Sequence, residues 1–168
     1  MINKHIGLIL LFVCFVSCSV QKKQTIQIKQ GIKNIPCRFY LNQSTLDNAR
    51  KQLLKEIDFA IGSDTIILLE SFVSVHASYF CSLYASERGI KRYHYVCNDY
   101  NKRPRTCYLK EERVSNLVIS EIQLVKTDIE SFIREKDSMW ATPSTRYMIT
   151  FATNVNGKYI FQYFSVDD

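Results

Sequence analysis

An Asn-Gly pair near the C-terminus constrains the fold of this chain more than any other feature. Asn156 and Gly157 both tolerate a positive φ, which a two-residue β-turn requires, and they separate RYMITFATNV from KYIFQYFSV. The sequence therefore predicts a C-terminal antiparallel hairpin. Period-two alternation sorts its apolar side chains onto two faces, so we expect a helix or partner on the second face and no open edge. One face has Tyr147, Ile149, Phe151, Val155, Ile160, Phe164 and Val166, and the other has Met148, Ala152, Tyr159, Phe161 and Tyr163.

A helix is predicted over residues 44–62, STLDNARKQLLKEIDFAIG. Ser44 can cap its start, and Gly62 stands where a left-handed C-terminal stop is expected. Its apolar residues recur at the 3.6-residue spacing of a helix that buries one face. They are Leu46, Ala49, Leu53, Ile57, Ala60 and Ile61.

The middle of the chain is rich in strand-forming residues. Thr65–Val75 predicts one strand, and the segments 78–85 and 90–97 flank the turn-like SERG. With residues 88–90 as the loop, Cys81 would face Cys97. One face of this hairpin would be apolar: Tyr79, Cys81, Leu83, Ala85, Tyr93, Tyr95 and Cys97. The other would be half-exposed: Phe80, Ser82, Tyr84, Arg92, His94 and Val96.

Two more strands are predicted over 106–113 and 117–125, although the periodicity of 118–125 also fits a helix. Thr127 and Glu130 form a capping box, which predicts a helix over 127–138. Together these elements predict an α+β domain over residues 31–168. We expect a mostly antiparallel sheet of about six to eight strands with two helices packed on one face.

The N-terminus contains an apolar run, Ile6–Val16, that is too short to span a bilayer but suits a secretory signal. The segment that follows, Phe15-Val16-Ser17-Cys18, resembles the lipobox of bacterial lipoproteins. The resemblance implies removal of residues 1–17, lipid attachment at Cys18 and a place in the cell envelope. In some members of that family a residue other than Asp after the cysteine directs the protein to the outer membrane, so the resemblance, with Ser19 at this position, implies the outer membrane, facing the periplasm or the surface. A plain signal cut after Ser19, or an uncleaved apolar segment, is the alternative.

Residues 18–30 are polar and are expected to form a tether that needs no fold, although 25–29 could form an edge strand. Four cysteines follow the signal, and an even number in an exported chain predicts a disulfide framework. The candidates are Cys37, Cys81, Cys97 and Cys107. Cys97 could pair with Cys107, or Cys81 with Cys97 and Cys37 with Cys107. Buried free thiols are the alternative.

The segment CNDYNKRPRTC, residues 97–107, is a candidate binding loop. A bridge between its ends would present a rigid cationic tip to an acidic protein, a lipid phosphate or an acidic glycan. The alternative is an ordinary solvated tip. The candidate contact residues are Tyr100, Lys102, Arg103 and Arg105.

Catalytic motifs are scarce in this sequence. It has no G-x-S-x-G, no phosphate-binding glycine loop and no H-E-x-x-H, so we expect no cofactor and no metal. The formal net charge of +6 lacks the clustering of a nucleic-acid binder. The sequence favours a non-enzymatic, lipid-anchored binding module with a protein partner, in an inhibitor or immunity-like role. The alternatives are a hydrolase with a site near His94, and binding of anionic lipid or glycan through the 97–107 loop.

Overall fold

The secondary structure consists of four α-helices and six strands in the residues that the structure, a computed structural model, describes: 19–35, 43–73, 78–97, 106–138 and 145–166. Helix α1 covers residues 19–33. The other helices are α2 (Gln43–Glu56), which continues into a 3₁₀ turn (Ile57–Ala60), α3 (Asn116–Thr127) and α4 (Ile129–Ser138). The strands are β1 (Thr65–Val73), β2 (Ser78–Ala85), β3 (Gly89–Cys97), β4 (Cys107–Glu112), β5 (Thr145–Val155) and β6 (Lys158–Val166).

All six strands form one antiparallel sheet in the order β4-β3-β2-β1-β5-β6. The predicted α+β class and antiparallel sheet are confirmed. Within the described ranges, none of the helices has the length and apolarity needed to cross a membrane.

Helices cover both faces of the sheet. On the first face, α1 and α2 enclose the larger core with strand residues such as Ile66, Leu68 and Tyr79. On the second face, α3 and α4 pack over Ile67 and Leu69. The expected placement of two helices on one face is not confirmed, because the helices predicted over 44–62 and 127–138 lie on opposite faces. Strand β1 is apolar on both sides, so each side requires a cover.

The C-terminal hairpin forms as predicted. Asn156 and Gly157 have φ values of 52° and 80°, and Ile149 pairs with Phe164, which keeps the predicted sorting of side chains between the faces. Strand β6 lies at one edge of the sheet. Helix α1 protects this edge: the Tyr159 N–H donates to Oε1 of Gln27 at 3.3 Å.

The β2–β3 hairpin has a different register from the predicted one. Cys81 pairs with Tyr93, four residues from the expected Cys97. The turn lies two residues earlier than expected, since residues 86–88 rather than 88–90 connect the strands and Gly89 has a φ of 87°, and this moves each partner by four residues. A register shift by an even number of residues keeps every side chain on the same face of the sheet. The predicted faces of β2 and β3 are therefore correct, although the predicted cross-strand pairs are not.

Residues 19–30, expected to be a tether or an edge strand, lie in α1 instead. Ile28 and Ile32 bury one side of the helix and are 1% and 3% exposed, and Ile35, just after the helix, is 4% exposed. Lysines and glutamines between these isoleucines obscure the 3.6-residue spacing in the sequence.

The segment 117–125 is predicted to be a strand, and this prediction is wrong because the segment lies in α3. Its buried residues Val118, Ile122 and Val125 are four and three positions apart, which is helical spacing. The next helix, α4, forms as predicted but with another cap. Thr127 ends α3, and Asp128 caps α4 by accepting from the Ser131 N–H at 2.9 Å.

Candidate functional site

A disulfide joins the last residue of β3 to the first residue of β4, at the end of the hairpin where the chain passes from one strand to the other. Cys97 and Cys107 are register partners with an S–S distance of 2.07 Å, as one of the predicted pairings requires. A bridge that closes a loop of this size stabilises the fold by about 3 kcal/mol in the chain-entropy model. The loop that it closes therefore starts from two fixed strand ends.

Cys81, one of the disulfide candidates, is a buried free thiol, which is the alternative that the sequence left open. The register excludes a bond between Cys81 and Cys97, because the residue opposite Cys81 is Tyr93. Cys18 and Cys37 lie outside the described residues, as do the candidate contact residues of the basic loop, Tyr100, Lys102, Arg103 and Arg105.

Next to the bridge, part of the second face projects beyond the helical cover. The core under α3 and α4 takes in Tyr84 and Ile90, but in the described part of the chain it does not extend to Phe80 or Tyr108. Tyr108 is 46% exposed. We call this region the exposed strip, and it consists of Phe80, Arg92, His94, Val96, Tyr108 and Lys110.

Phe80 is the centre of the exposed strip. The His94 ring stacks on it with centroids 4.2 Å apart and an interplanar angle of 18°. The guanidinium carbon of Arg92 lies 5.1 Å from the Phe80 centroid, within cation–π range. Arg92 also donates from Nη1 to Oγ of Ser82 at 2.9 Å. These contacts hold an aromatic ring and a cation in one arrangement on neighbouring strands.

His94 has a carboxylate neighbour, since its Nδ1 lies 3.3 Å from Oε1 of Glu112. A carboxylate in this position orients an imidazole, as in catalytic triads. The nearby hydroxyl of Ser82 is unsuited to nucleophilic attack, because Ser82 is 0% exposed and accepts the Arg92 hydrogen bond. This arrangement suits recognition better than hydrolysis.

The edge of β4 beside the bridge is closed by a side chain from α2. Gln52 Nε2 donates to the Cys107 carbonyl at 2.9 Å, and the Leu109 N–H donates to Gln52 Oε1 at 2.6 Å. The Gln52 amide thus makes the two hydrogen bonds that a residue of a neighbouring strand would make, and these backbone groups are no longer available to pair with another chain. A partner at this end therefore meets side chains rather than a free backbone edge.

A buried polar network, which sequence reasoning missed, lies on the first face. Glu70 is 0% exposed and accepts from Arg50 Nε at 2.8 Å and from Nη2 at 2.7 Å. It also accepts from the Tyr79 hydroxyl at 2.6 Å. The one acidic residue in the apolar run TIILLESFV was the available signal, since buried carboxylates are rare without partners.

This network affects two neighbouring acids. Burial, together with the charge of Glu70, raises the pKa of the Tyr79 hydroxyl well above its usual value. Burial, again with Glu70, raises the pKa of the Cys81 thiol. The Cys81 thiol therefore stays protonated and makes a poor nucleophile.

A half-open cavity of about 370 Å³ lies between α1 and α2. Its described lining is Ile32, Lys33, Ile35, Asp47, Arg50, Lys51 and Leu54. Arg50 is already bound to Glu70, and the two lysines are exposed. The cavity therefore presents surface charges rather than a built anion site.

Among the described residues, no three His, Cys, Asp or Glu side chains are grouped closely enough to hold a metal ion. No protein-family model matches the chain, and no curated protein or solved structure matches it significantly.

Proposed function

We propose that this chain is a lipid-anchored protein of the bacterial cell envelope that acts as a non-enzymatic binding module. In this proposal Cys18 carries the lipid, and the partner is a protein that docks on the exposed strip and the adjoining basic loop. An inhibitor or immunity-like role, in which a small anchored domain blocks an enzyme, is one form of this activity.

The observation that carries the proposal is the exposed strip itself. It combines a fixed aromatic ring on β2 with a half-exposed tyrosine and the side chains of Arg92, His94 and Lys110 on β3 and β4, the two strands that the Cys97–Cys107 bridge joins. Aromatic and arginine side chains dominate the energetic centres of protein interfaces. Rigid elements also lose less conformational entropy on binding than mobile loops.

The anchor is tested by the intact mass of the protein extracted from membranes. The proposal expects a chain that begins at Cys18 and carries acyl groups. A mass that retains residues 1–17 would contradict the anchor.

The partner site is tested with a photo-crosslinking amino acid at Tyr108, and with a control at Ile160 on the opposite edge strand. These side chains are 46% and 55% exposed. The proposal expects a protein adduct from Tyr108 only. The captured protein, once purified, should bind the wild type, lose affinity for Tyr108→Ala/Lys110→Ala, and bind Ile160→Ala/Lys158→Ala normally. Equal adducts at both positions would contradict the proposed site.

The His94–Glu112 pair favours an envelope hydrolase as the second candidate. Any hydrolytic activity of the purified protein should then disappear in His94→Gln. An activity that His94→Gln retains would eliminate this candidate.

A further inference from the structure

The sheet has two distinct ends. One end carries the β2–β3 turn at residues 86–88 and the β5–β6 turn at 156–157, and we call it the turn end. The other end carries the Cys97–Cys107 bridge. Strand β3 runs from Gly89 at the turn end to Cys97 at the bridge end. This separation is about 26 Å at about 3.3 Å per residue.

Helix α1 starts at the turn end. Gln27 receives the Tyr159 N–H at 3.3 Å, and one helical turn later the Gly31 carbonyl accepts from the Tyr163 hydroxyl at 3.1 Å. The helix therefore advances along β6 in the same direction as the strand, which leaves the turn end at Lys158.

The first residues of α1 extend beyond the core. Residues 19–23 are all exposed, whereas Gln24 and Ile28 are buried. Ser19 precedes Gln27 by eight residues, which is about 12 Å of helix. The residue that follows the proposed lipid attachment point thus lies at or past the turn end.

We infer that the turn end is an interaction surface for anionic lipid headgroups, and that the bridge end points away from the membrane. This inference rests on the proposed lipid anchor at Cys18. A short attachment at the start of α1 brings the turn end to the bilayer and leaves the bridge about one sheet length away. The exposed strip and the basic loop then face a partner in the aqueous space.

The chemistry of the turn end fits a bilayer surface. Its exposed cations are Lys22, Lys23, Arg88 and Lys158. The same end has aliphatic side chains that are 44–55% exposed: Val20, Ile26, Val155 and Ile160. Exposed aliphatic groups beside lysines suit the boundary between headgroups and acyl chains. The exposed acids beside these turns are Asp64 and Glu87, and Glu87 accepts hydrogen bonds from the Ser86 hydroxyl and from the Asp64 N–H. The four cations outnumber these two acids.

Lipid-borne quenchers test the orientation. A fluorescent amino acid is placed at Val155, at the turn end, or at Tyr108, beside the bridge. Their exposures match at 44% and 46%. The lipidated full-length protein is reconstituted into vesicles of phosphatidylethanolamine and phosphatidylglycerol that contain nitroxide-labelled lipid. We expect strong quenching at Val155 and little at Tyr108, and equal or reversed quenching would overturn the orientation.

Flotation of the same vesicles separates this inference from the proposed function. A wild-type protein that does not float overturns the anchor and the orientation together. A protein that floats but shows reversed quenching overturns the orientation alone and leaves the anchored binding module intact.

Charge removal tests the headgroup contact without the anchor. In the Cys18→Ser full chain at low ionic strength, Lys22→Gln/Lys23→Gln/Lys158→Gln should lower partitioning into these vesicles by about fivefold per lysine. The control Lys33→Gln/Lys51→Gln/Lys110→Gln removes the same charge away from the turn end and should change partitioning far less. Equal losses in both variants, or no partitioning of the parent chain, would overturn the contact.

Discussion

The guanidinium of Arg50 and the carboxylate of Glu70 meet in two parallel hydrogen bonds inside the core, 2.8 Å from Nε to Oε1 and 2.7 Å from Nη2 to Oε2. This pair ties α2 to the central strand β1, and the Tyr79 hydroxyl from β2 completes it at 2.6 Å. A bidentate pair of this kind fixes the position of the helix over the sheet as well as contributing energy.

Removal of one partner of this pair should strongly destabilise the fold. Glu70→Leu leaves the Arg50 charge buried without its carboxylate, and we expect a loss of about 3–5 kcal/mol in the free energy of unfolding. Urea denaturation measures the loss. The triple variant Arg50→Met/Glu70→Leu/Tyr79→Phe removes the carboxylate together with the guanidinium and the hydroxyl that bind it, and it should recover most of the lost stability. A triple variant less stable than Glu70→Leu would contradict this account.

Loss of the side-chain hydroxyl should lower the stability at one tyrosine of this face and not at another. Tyr79→Phe deletes a hydrogen bond to a buried carboxylate and should lower the stability by about 1.5–3 kcal/mol. Tyr93 has a buried hydroxyl without a hydrogen-bond partner among the described residues, so Tyr93→Phe should leave the stability unchanged or raise it. Thermal unfolding of the two variants under one condition checks the difference in sign.

Stability should decline at high pH. Burial raises the pKa of Tyr79 in the fold, and burial also raises the pKa values of Tyr95, Tyr147 and Tyr159. An unfolded tyrosine titrates near pH 10, so above this pH the unfolded chain releases protons that the folded chain retains. The stabilising contribution is complete below pH 10 and is lost as the pH rises toward the folded pKa values.

The high-pH loss can be assigned to Tyr79 by comparison with its phenylalanine variant. Between the unfolded and folded pKa values, Tyr79 contributes up to about 1.4 kcal/mol per pH unit. Urea midpoints between pH 8 and pH 11 should therefore fall less steeply for Tyr79→Phe than for the wild type. Parallel slopes would show that Tyr79 does not cause the dependence.

Gly31 should be less tolerant of alanine than a helical glycine usually is. Glycine-to-alanine substitution in a helix normally gains about 1 kcal/mol. Here a Cβ on Gly31 would overlap the ring of Phe161, and the Tyr163 hydroxyl bonds to the Gly31 carbonyl. We expect Gly31→Ala to lower the stability by about 1–3 kcal/mol through overpacking.

A smaller neighbour should relieve this overlap. Phe161→Leu makes room beside α1, so Gly31→Ala should be less harmful in the Phe161→Leu background than in the wild type. A double-mutant cycle measured by urea denaturation gives the interaction between the two positions. Additive effects would contradict a direct contact.

Local signals in the sequence identified several elements of this fold. Two adjacent residues that accept positive φ, Asn156 and Gly157, specify a hairpin with little help from the rest of the chain. The α2 stripe and the alternation of β2 and β3 assign each side chain to its face, because helix and strand periods are properties of a single segment. The half-exposed set that contains Phe80, Arg92 and His94 was therefore predictable.

Other features depended on contacts between segments that are distant in the sequence. The 117–125 segment has buried residues at helical spacing, but the bordering apolar residues also permit a strand, and packing of α3 on the second face decided the outcome. The pairing of Cys81 with Tyr93 rather than Cys97 depended on a turn that lies two residues earlier than expected. Period-two patterning is identical for the two registers.

The sequence by itself determined the antiparallel class, the C-terminal hairpin, the main helix and the faces of the central strands, because each follows from neighbouring residues. Only the tertiary structure decided that Arg50 and Glu70, twenty residues apart, form one buried pair. It also decided that α1 covers β6 and starts at the end of the sheet opposite the bridge. The partner of a buried charge and the direction in which a helix runs are set by packing between segments that are distant in the sequence. A local sequence pattern therefore predicts neither of them.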